Sequence, residues 1–470
     1  MILREGGGTM QIVIVHYHLR RGGVTRVIET AIEALAGKGF EILVLSGDEA
    51  VDEKAIPNVR VVSDLNYRNS GTAAEADALA NELQSVACGF FGRAPVAWHF
   101  HNPALGKNVL MPPVVSRIAE SAPVFLQTHD FAEDGRPENF RRQTGVPGPL
   151  WPQGRQVHHG TINARDFSIL AAAGVENSQL HLIPNAVSKI KTDTNPEDRP
   201  FAQGKRFFLY PTRAIRRKNV GELLLHAHFH RDDAEFATTL APENPEWLAI
   251  LRHWEKVAAD LKLPVQLGNH GHGFADLIGW SDGLITTSIA EGFGLAFLEP
   301  WLAGKSIVGR DLPEITADFS LDLGHLYSRF DVPVDRIDLG KLRAELDAEL
   351  ENSYAAYGRE CPENAVGTAL DSMIRDGQID FGRLSEPFQT AVIENPEGVE
   401  PPSIEPCPFD TISEQTGLVR KSYSVDSYGE KLGAIYEAVA SSPIGEISDP
   451  GPDLLLDSFL DPARFNLLRT

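Results

Sequence analysis

Cysteine is scarce in this chain: Cys88, Cys361 and Cys407 are the only three in 470 residues, widely spaced and odd in number. They suit neither a disulfide framework nor a zinc site of clustered thiolates, which fits a reducing, cytoplasmic setting. No apolar run approaches the ~20 residues needed to span a bilayer, so no transmembrane segment is expected. The first ten residues lack the apolar middle of a signal peptide and read as a floppy leader, with either Met1 or Met10 as the natural start. Positive charge is also in short supply. With 43 Lys and Arg against 65 Asp and Glu the net charge is −22, so nucleic acid and anionic lipid surfaces are repelled at long range and neither is expected as the main partner. Internal repeats are missing, and so is a complete Gly-x-Gly-x-x-Gly dinucleotide fingerprint with its downstream ribose acid.

What is present is an alternation of short apolar runs and helical periodicities. Residues 11–15 form a buried-strand run, and Val24, Val27, Ile28, Ala31, Ile32 and Leu35 then recur at helical spacing up to Gly37 and Gly39. Further strand-like runs fall at 41–46, 59–62, 95–100, 123–127, 156–159 and 180–183, with helices expected over 72–86 and 164–173. A strand, loop, helix, strand opening is how a doubly wound parallel sheet begins. This predicts an α/β protein with a Rossmann-like domain over 1–190, a polar linker over 191–204 and a second Rossmann-like domain over 205–385. The strands and helices of that second block are expected at 207–210, 220–230, 236–240, 245–260, 264–267, 283–286, 293–303 and 306–308. Two such domains would face each other across a cleft. Residues 386–470 read as a helical and irregular extension, with a Pro- and Glu-rich stretch at 393–407 and an apolar face of Leu432, Ile435, Tyr436 and Val439. The dispersed tryptophans, Trp98, Trp151, Trp254, Trp280 and Trp301 among them, read as packing residues.

The richest stretch is Glu291-Gly292-Phe293-Gly294-Leu295, followed by Glu299. Two carboxylates eight positions apart bracket a Gly-Phe-Gly turn at the end of a strand. A helix predicted over 293–303 would place the amides of Gly292 to Leu295 at its N-terminus, where unpaired N–H groups favour an anion. A phosphate seat with an acid on either side suits a nucleotide-diphosphate sugar, one acid for sugar hydroxyls and one for ribose. Acids repel phosphate, so cations must compensate. Arg213, Arg216, Arg217 and Lys218 put four cations into six residues directly after the strand at 207–210. Gly22-Gly23, after the first strand, lets the backbone approach a phosphate, or else forms a plain tight turn.

Arg213 and Lys218, with the later Glu-Gly-Phe-Gly-Leu-x-x-x-Glu of residues 291–299, resemble the donor signature of the retaining glycosyltransferases of family 4, which have the GT-B fold. The likeness runs from the first strand to about residue 320, with a weaker echo near the C-terminus. It implies that Arg213 and Lys218 bind the diphosphate, that Glu291 contacts hydroxyls of the transferred sugar and that Glu299 holds the ribose. It implies further that Gly22-Gly23 faces the diphosphate, that His129 lies near the transferred sugar, and that Pro184-Asn185 marks the hinge region. A late helix, here placed at 423–441, would cross back onto the first domain. On this reading the catalytic set is Glu291, His129, Arg213 and Lys218, and the donor site adds Gly22, Gly23, Gly292, Phe293, Gly294, Leu295 and Glu299. Acceptor-side candidates are His99, His101, Asn102 and Asp130, all near C-terminal strand ends, where open α/β sheets place ligands.

Histidine pairs at His99-x-His101, His158-His159 and His270-x-His272 raise the question of zinc. They do not assemble three or four ligands at the usual local spacing, and the resembling enzymes generally need no metal. The expectation is therefore a metal-independent hexosyltransferase with no cofactor, taking a nucleotide sugar as donor and a hydroxyl-bearing acceptor. The nucleotide, the sugar, the acceptor, the oligomeric state and peripheral contact with a lipid-linked acceptor stay open. A sugar phosphorylase of the same fold would use inorganic phosphate in place of a nucleotide. A nucleotide-sugar 2-epimerase would need an acid/base pair around C2 and no acceptor. A non-catalytic binding module and an NAD-dependent oxidoreductase fit the intact donor residues and the glycine pattern less well.

Overall fold

The structure is a computed structural model, and it describes residues 9–144, 148–190, 199–202, 204–242, 244–268 and 271–469. The chain divides into two units, one comprising residues up to Ala186 with Tyr423–Phe459, the other Val187–Ser422 with Leu460–Thr470. The expected leader falls mostly on residues 1–8, and the expected linker mostly on 191–198 and 203, outside the described residues, as does His270.

The first unit is built on a seven-stranded sheet of order β3-β2-β1-β4-β5-β6-β7, parallel throughout. Its strands are β1 (Met10–His16), β2 (Phe40–Ser46), β3 (Val59–Val61), β4 (Ala97–His101), β5 (Val124–Thr128), β6 (Val157–Thr161) and β7 (Leu180–Leu182). Continuous apolar runs form β1 and most of β2, as strands covered on both faces require, whereas the edge strand β3 is largely exposed. Side chains alternate between faces, so Ile12 and Ile14 enter one core with Ile28, Leu35, Leu432 and Tyr436. Val13 and Val15 enter the other with Leu79, Leu83, Val114 and Ile118. The segment expected to cross back, 423–441, contains the helix Val425–Ala440, which packs on the helix Gly23–Leu35. The two backbones meet closely at Gly429, where a Cβ would lie 2.6 Å from the carbonyl oxygen of Ala34. The chain after it reaches the loop before β6, through Gly445 with Gln156 and Ser448 with Gln153.

The second unit holds a five-stranded parallel sheet of order β10-β9-β8-β11-β12. Its strands are β8 (Arg206–Arg213), β9 (Ala234–Leu240), β10 (Val265–Gln266), β11 (Gly283–Thr286) and β12 (Ile307–Gly309). A small antiparallel sheet follows, β13 (Asp331–Pro333), β14 (Ile374–Arg375) and β15 (Gln378–Asp380), in the order β13-β15-β14. Nothing in the sequence patterns foretold it, since strands of two or three residues carry no readable period. Residues 386–470 are shared out: helices Glu386–Glu394 and Phe409–Ser422 belong to the second unit, and the chain between them is irregular.

A buried ionic knot ties the two sheets of this unit together. Arg310, at the end of β12, donates to both oxygens of Glu222 at 2.9 and 2.6 Å and to both oxygens of Asp380 at 3.1 and 2.8 Å. Tyr327 adds a hydroxyl to Glu222 at 2.9 Å. Burial raises the Glu222 carboxyl above its ordinary range despite Arg310. Asp380 is buried too, but Arg310 and the Phe330 amide outweigh that and hold it low.

Candidate functional site

In the second unit the site begins where β8 ends. The ladder with β9 is irregular between Tyr210 and Arg213, so Arg213 emerges exposed at the strand's C-terminal end. A single tight turn, Arg216–Lys218, follows, and Asn219 closes it in the left-handed region at φ 51°. The Asn219 side chain is held from two sides, donating to Glu222 and accepting from Gln389, both at 2.8 Å. Glu222 is the same carboxylate that Arg310 grips, so the ionic knot anchors this loop.

The loop is sewn onto the segment after β11. Thr287 donates its hydroxyl to the carbonyls of Lys218 and Asn219, both at 3.0 Å, and the Ile289 amide donates to Arg217 at 3.0 Å. These bonds bring the Lys218 ammonium into an ion pair with the Glu291 carboxylate, both side chains being largely buried. Burial pulls the Lys218 pKa down, with Arg217 adding to the effect, while Glu291 opposes it. The four cations are not equivalent. Arg216 is committed elsewhere, with two bonds of 2.7 and 2.9 Å to the carboxylate of Glu386.

The segment after Glu291 corrects one expectation. The continuous helix predicted over 293–303 took no account of Pro300, which cannot donate within a helix interior. The structure has instead one tight turn, Leu295–Phe297, and then a four-residue helix, Glu299–Leu302, with Pro300 in its first turn, where its missing N–H costs nothing. The amides of Gly292 to Leu295 therefore do not head a long helix, and a macrodipole does not add to them. Gly294 has φ 89°, and a Cβ there would come within 2.9 Å of Ile315 Cγ2, so both conformation and space require glycine. A Cβ at Gly292 would meet no atom within 4 Å. Phe293 is buried, with Phe319 as ring neighbour; Leu295 is exposed and Glu299 half-buried.

In the first unit, Gly22 and Gly23 open the helix Gly23–Leu35, which has no side-chain cap and no acid in its first turn. The space where Cβ atoms would stand is open, with nothing within 4 Å at Gly23. At the ends of β4 and β5, His101 Nδ1 lies 2.9 Å from His129 Nε2. Asn102, at φ 52°, accepts from the amides of His129 (2.6 Å) and Asp130 (3.2 Å) through Oδ1. Asp130 pairs with Arg136 at 2.7 Å. The ring of His99 lies 4.2 Å from that of His101 between centroids; it is fully buried and bonded at 2.8 Å to the hydroxyl of Tyr436 on the helix Val425–Ala440. Its side chain fastens that helix.

Burial depresses every histidine of this group. His129 falls to about 4 and His99 to about 3, while His101 lies well below its ordinary value, with neighbouring imidazoles adding to the effect for His99 and His101. All are neutral near pH 7. The structure adds residues at and after the end of β1. His16 Nδ1 lies 3.4 Å from the His101 carbonyl oxygen, the Tyr17 hydroxyl donates to the Asn102 carbonyl, and His18 meets the half-exposed Tyr67 at 2.9 Å. The signal was available, since His16-Tyr17-His18 sits at the C-terminal end of β1.

Among the described residues, no three His, Cys, Asp or Glu side chains are grouped to hold a metal ion. His158 is instead bonded to His181 and Ser442, both at 2.8 Å, and His159 to the Pro152 carbonyl at 3.0 Å. No helix among the described residues is long and apolar enough to cross a membrane.

No family model matches the sequence. Mannosylglucosyl-3-phosphoglycerate synthase of Petrotoga mobilis is 24% identical over 412 residues, covering 80% of this chain and 79% of that protein. Among solved structures, a glycosyltransferase from Rickettsia africae superposes with a TM-score of 0.54 at 13% identity, over 93% of this chain and 100% of that one. Anabaena HepE in complex with UDP gives 0.53 at 12% identity, over 90% of this chain and 99% of that one. Sucrose-phosphate synthase from Thermosynechococcus elongatus gives 0.53 at 12% identity, over 91% and 98%. With two parallel sheets of Rossmann strand order, and a homologue and structural neighbours that are glycosyltransferases, the chain has the α/β architecture of the GT-B fold.

Proposed function

We propose that this protein is a retaining glycosyltransferase of family 4, moving a hexosyl group from a nucleotide-diphosphate sugar to a hydroxyl-bearing acceptor without a metal or other cofactor. One observation carries the reading: Lys218 and Glu291, 73 residues apart, are paired beside a loop that presents Arg213 and a turn whose Gly292 leaves open space. That HepE was solved with UDP supports a nucleoside diphosphate as the ligand, and makes UDP the first to test.

Cleavage of the anomeric C–O bond leaves negative charge on the diphosphate, so catalysis comes mainly from positive groups already in place to meet it. Arg213 and Lys218 take that role, with the amides of Gly292 to Leu295 assisting locally. In the free protein Lys218 is neutralised by Glu291. Arrival of a phosphate gives Lys218 a second anion and leaves Glu291 to accept from sugar hydroxyls, holding the sugar so that the acceptor attacks from the face the leaving group departs. Glu299 holds the ribose. The departing phosphate oxygen takes the acceptor proton, so no protein base is needed. In the first unit Gly22 and Gly23 offer bare backbone to a phosphate, His129 bonds a substrate hydroxyl, and His101, Asn102 and Asp130 shape the acceptor side. The unpaired Cys88, Cys361 and Cys407 support a reducing, cytoplasmic setting.

The test is a thermal-shift and calorimetric screen against UDP, GDP, ADP and their sugars, with inorganic phosphate alongside. One nucleoside diphosphate should raise the melting temperature, and Lys218→Ala should abolish that rise. Stabilisation by inorganic phosphate alone, together with phosphate-dependent glycoside cleavage, would replace this reading with a phosphorylase, and no response to any nucleotide would remove it.

A further inference from the structure

The rings of His101 and His129 lie 5.2 Å apart between centroids with 16° between their planes, and a single hydrogen bond joins Nδ1 of the first to Nε2 of the second. Both rings are neutral, so one nitrogen donates and the other accepts. Two proton arrangements satisfy the bond. In one, His101 donates from Nδ1, its Nε2 is a bare lone pair, and His129 carries its proton on Nδ1. In the other, His129 donates from Nε2 and its Nδ1 is bare, while His101 carries its proton on Nε2.

The surroundings distinguish them. His101 Nε2 is sealed in the interior with no hydrogen-bond partner, whereas His129 Nδ1 is not among the nitrogen atoms sealed in this way. A buried N–H with no acceptor forfeits a full donor bond, and such orphaned donors are rarer than under-used acceptors. The second arrangement creates that orphan and the first avoids it. The pair is held in register besides. Asn102 fixes the His129 backbone amide, and the His16 ring meets the edge of His101 at 6.1 Å between centroids and 82° between planes. Neither imidazole can gain a second proton near pH 7, because burial holds both well below their ordinary value.

We propose that His101 is a positioning residue that locks His129 in the tautomer with its proton on Nδ1, so that His129 meets the substrate as an N–H donor to an oxygen and never as a base. What is bound there rests on the glycosyltransferase reading. The tautomer itself belongs to the free protein. It also agrees with a reaction in which the acceptor proton leaves with the phosphate, since a donor cannot receive it.

The full-length protein, labelled with 15N-histidine, shows the tautomer in long-range proton–nitrogen correlation spectra, with His129 assigned by its loss in His129→Gln. A protonated Nδ1 and a bare Nε2 are expected without any substrate. His101→Leu removes the donor and should let the Nε2–H form appear, lowering kcat about tenfold, the size of one lost hydrogen bond, with little change in KM for the nucleotide sugar. His101→Asn, whose amide NH2 can stand where Nδ1 stood, should restore the tautomer and most of the lost turnover. A wild-type spectrum with the proton on Nε2 overturns the proposal, and so does a His101→Leu protein that keeps both tautomer and kcat. Should His101→Leu not fold, the wild-type spectrum decides alone. Failure of nucleotides to bind would sink the activity while leaving that spectrum untouched, so the two failures are separable.

Discussion

The two units share a strand order but furnish the C-terminal ends of their strands in opposite ways. In the first, His129 is joined to the neutral ring of His101, while His16 and Tyr17 bond the backbone of His101 and Asn102, and the ion pair of Asp130 with Arg136 follows directly after. In the second, the corresponding ends carry net-charged groups, Arg213, Lys218 and Glu291, with Glu299 following. One edge offers chiefly neutral hydrogen-bonding rings and the other chiefly charge. The same scaffold therefore does not dictate the chemistry; the few residues after each strand do.

The largest effect should come from removing the charged edge. Lys218→Ala and Glu291→Ala are each expected to lower kcat by about a thousandfold or more, as loss of a preorganised charge contact does, while circular dichroism stays native. Near-wild-type turnover in either variant would erase the contrast. Next is the support beneath that edge. Arg310→Met leaves Glu222 and Asp380 buried without their cation and should cost roughly 3–5 kcal/mol in denaturant unfolding, because breaking a buried ion network strands a charge.

The first unit offers a smaller, pH-dependent test. Glu133 is fully buried against Trp151, whose Nε1 donates to it at 2.9 Å, and burial lifts its pKa from 4.5 to about 7. A carboxyl raised on folding contributes stability that is complete below its unfolded pKa and is lost as pH climbs through the folded value. Glu133→Gln should thus leave the melting temperature almost unchanged at pH 4 and raise stability at pH 8, by on the order of 3 kcal/mol. An equal effect at both pH values would contradict it. Smallest of all, Tyr436→Phe removes the bond to His99 and should cost about 1 kcal/mol with kcat preserved. A large loss of turnover instead would mean that His99 belongs to the site.

Much of the scaffold was legible because parallel strands covered on both faces must be apolar runs, as in β1, β2, β8 and β11. The helix over 293–303 fails because the segment has helical length but carries Pro300 in its interior. The strands β13 to β15 escaped notice because two or three residues hold no periodicity. At the candidate site, the chemistry of Lys218 and Glu291 was visible as motif. That Arg216 is consumed by Glu386, 170 residues away, was not, and neither was the fastening of His99 by Tyr436, 337 residues away.

By itself the sequence determined the alternation of strands and helices, the acidic surface and the concentration of cations after β8, since these are properties of neighbours along the chain. Only the tertiary structure decided which cation faces Glu291, which histidine is sealed and which bonds another. Those outcomes depend on hydrogen bonds and burial between segments far apart in sequence, and a local pattern carries no record of either.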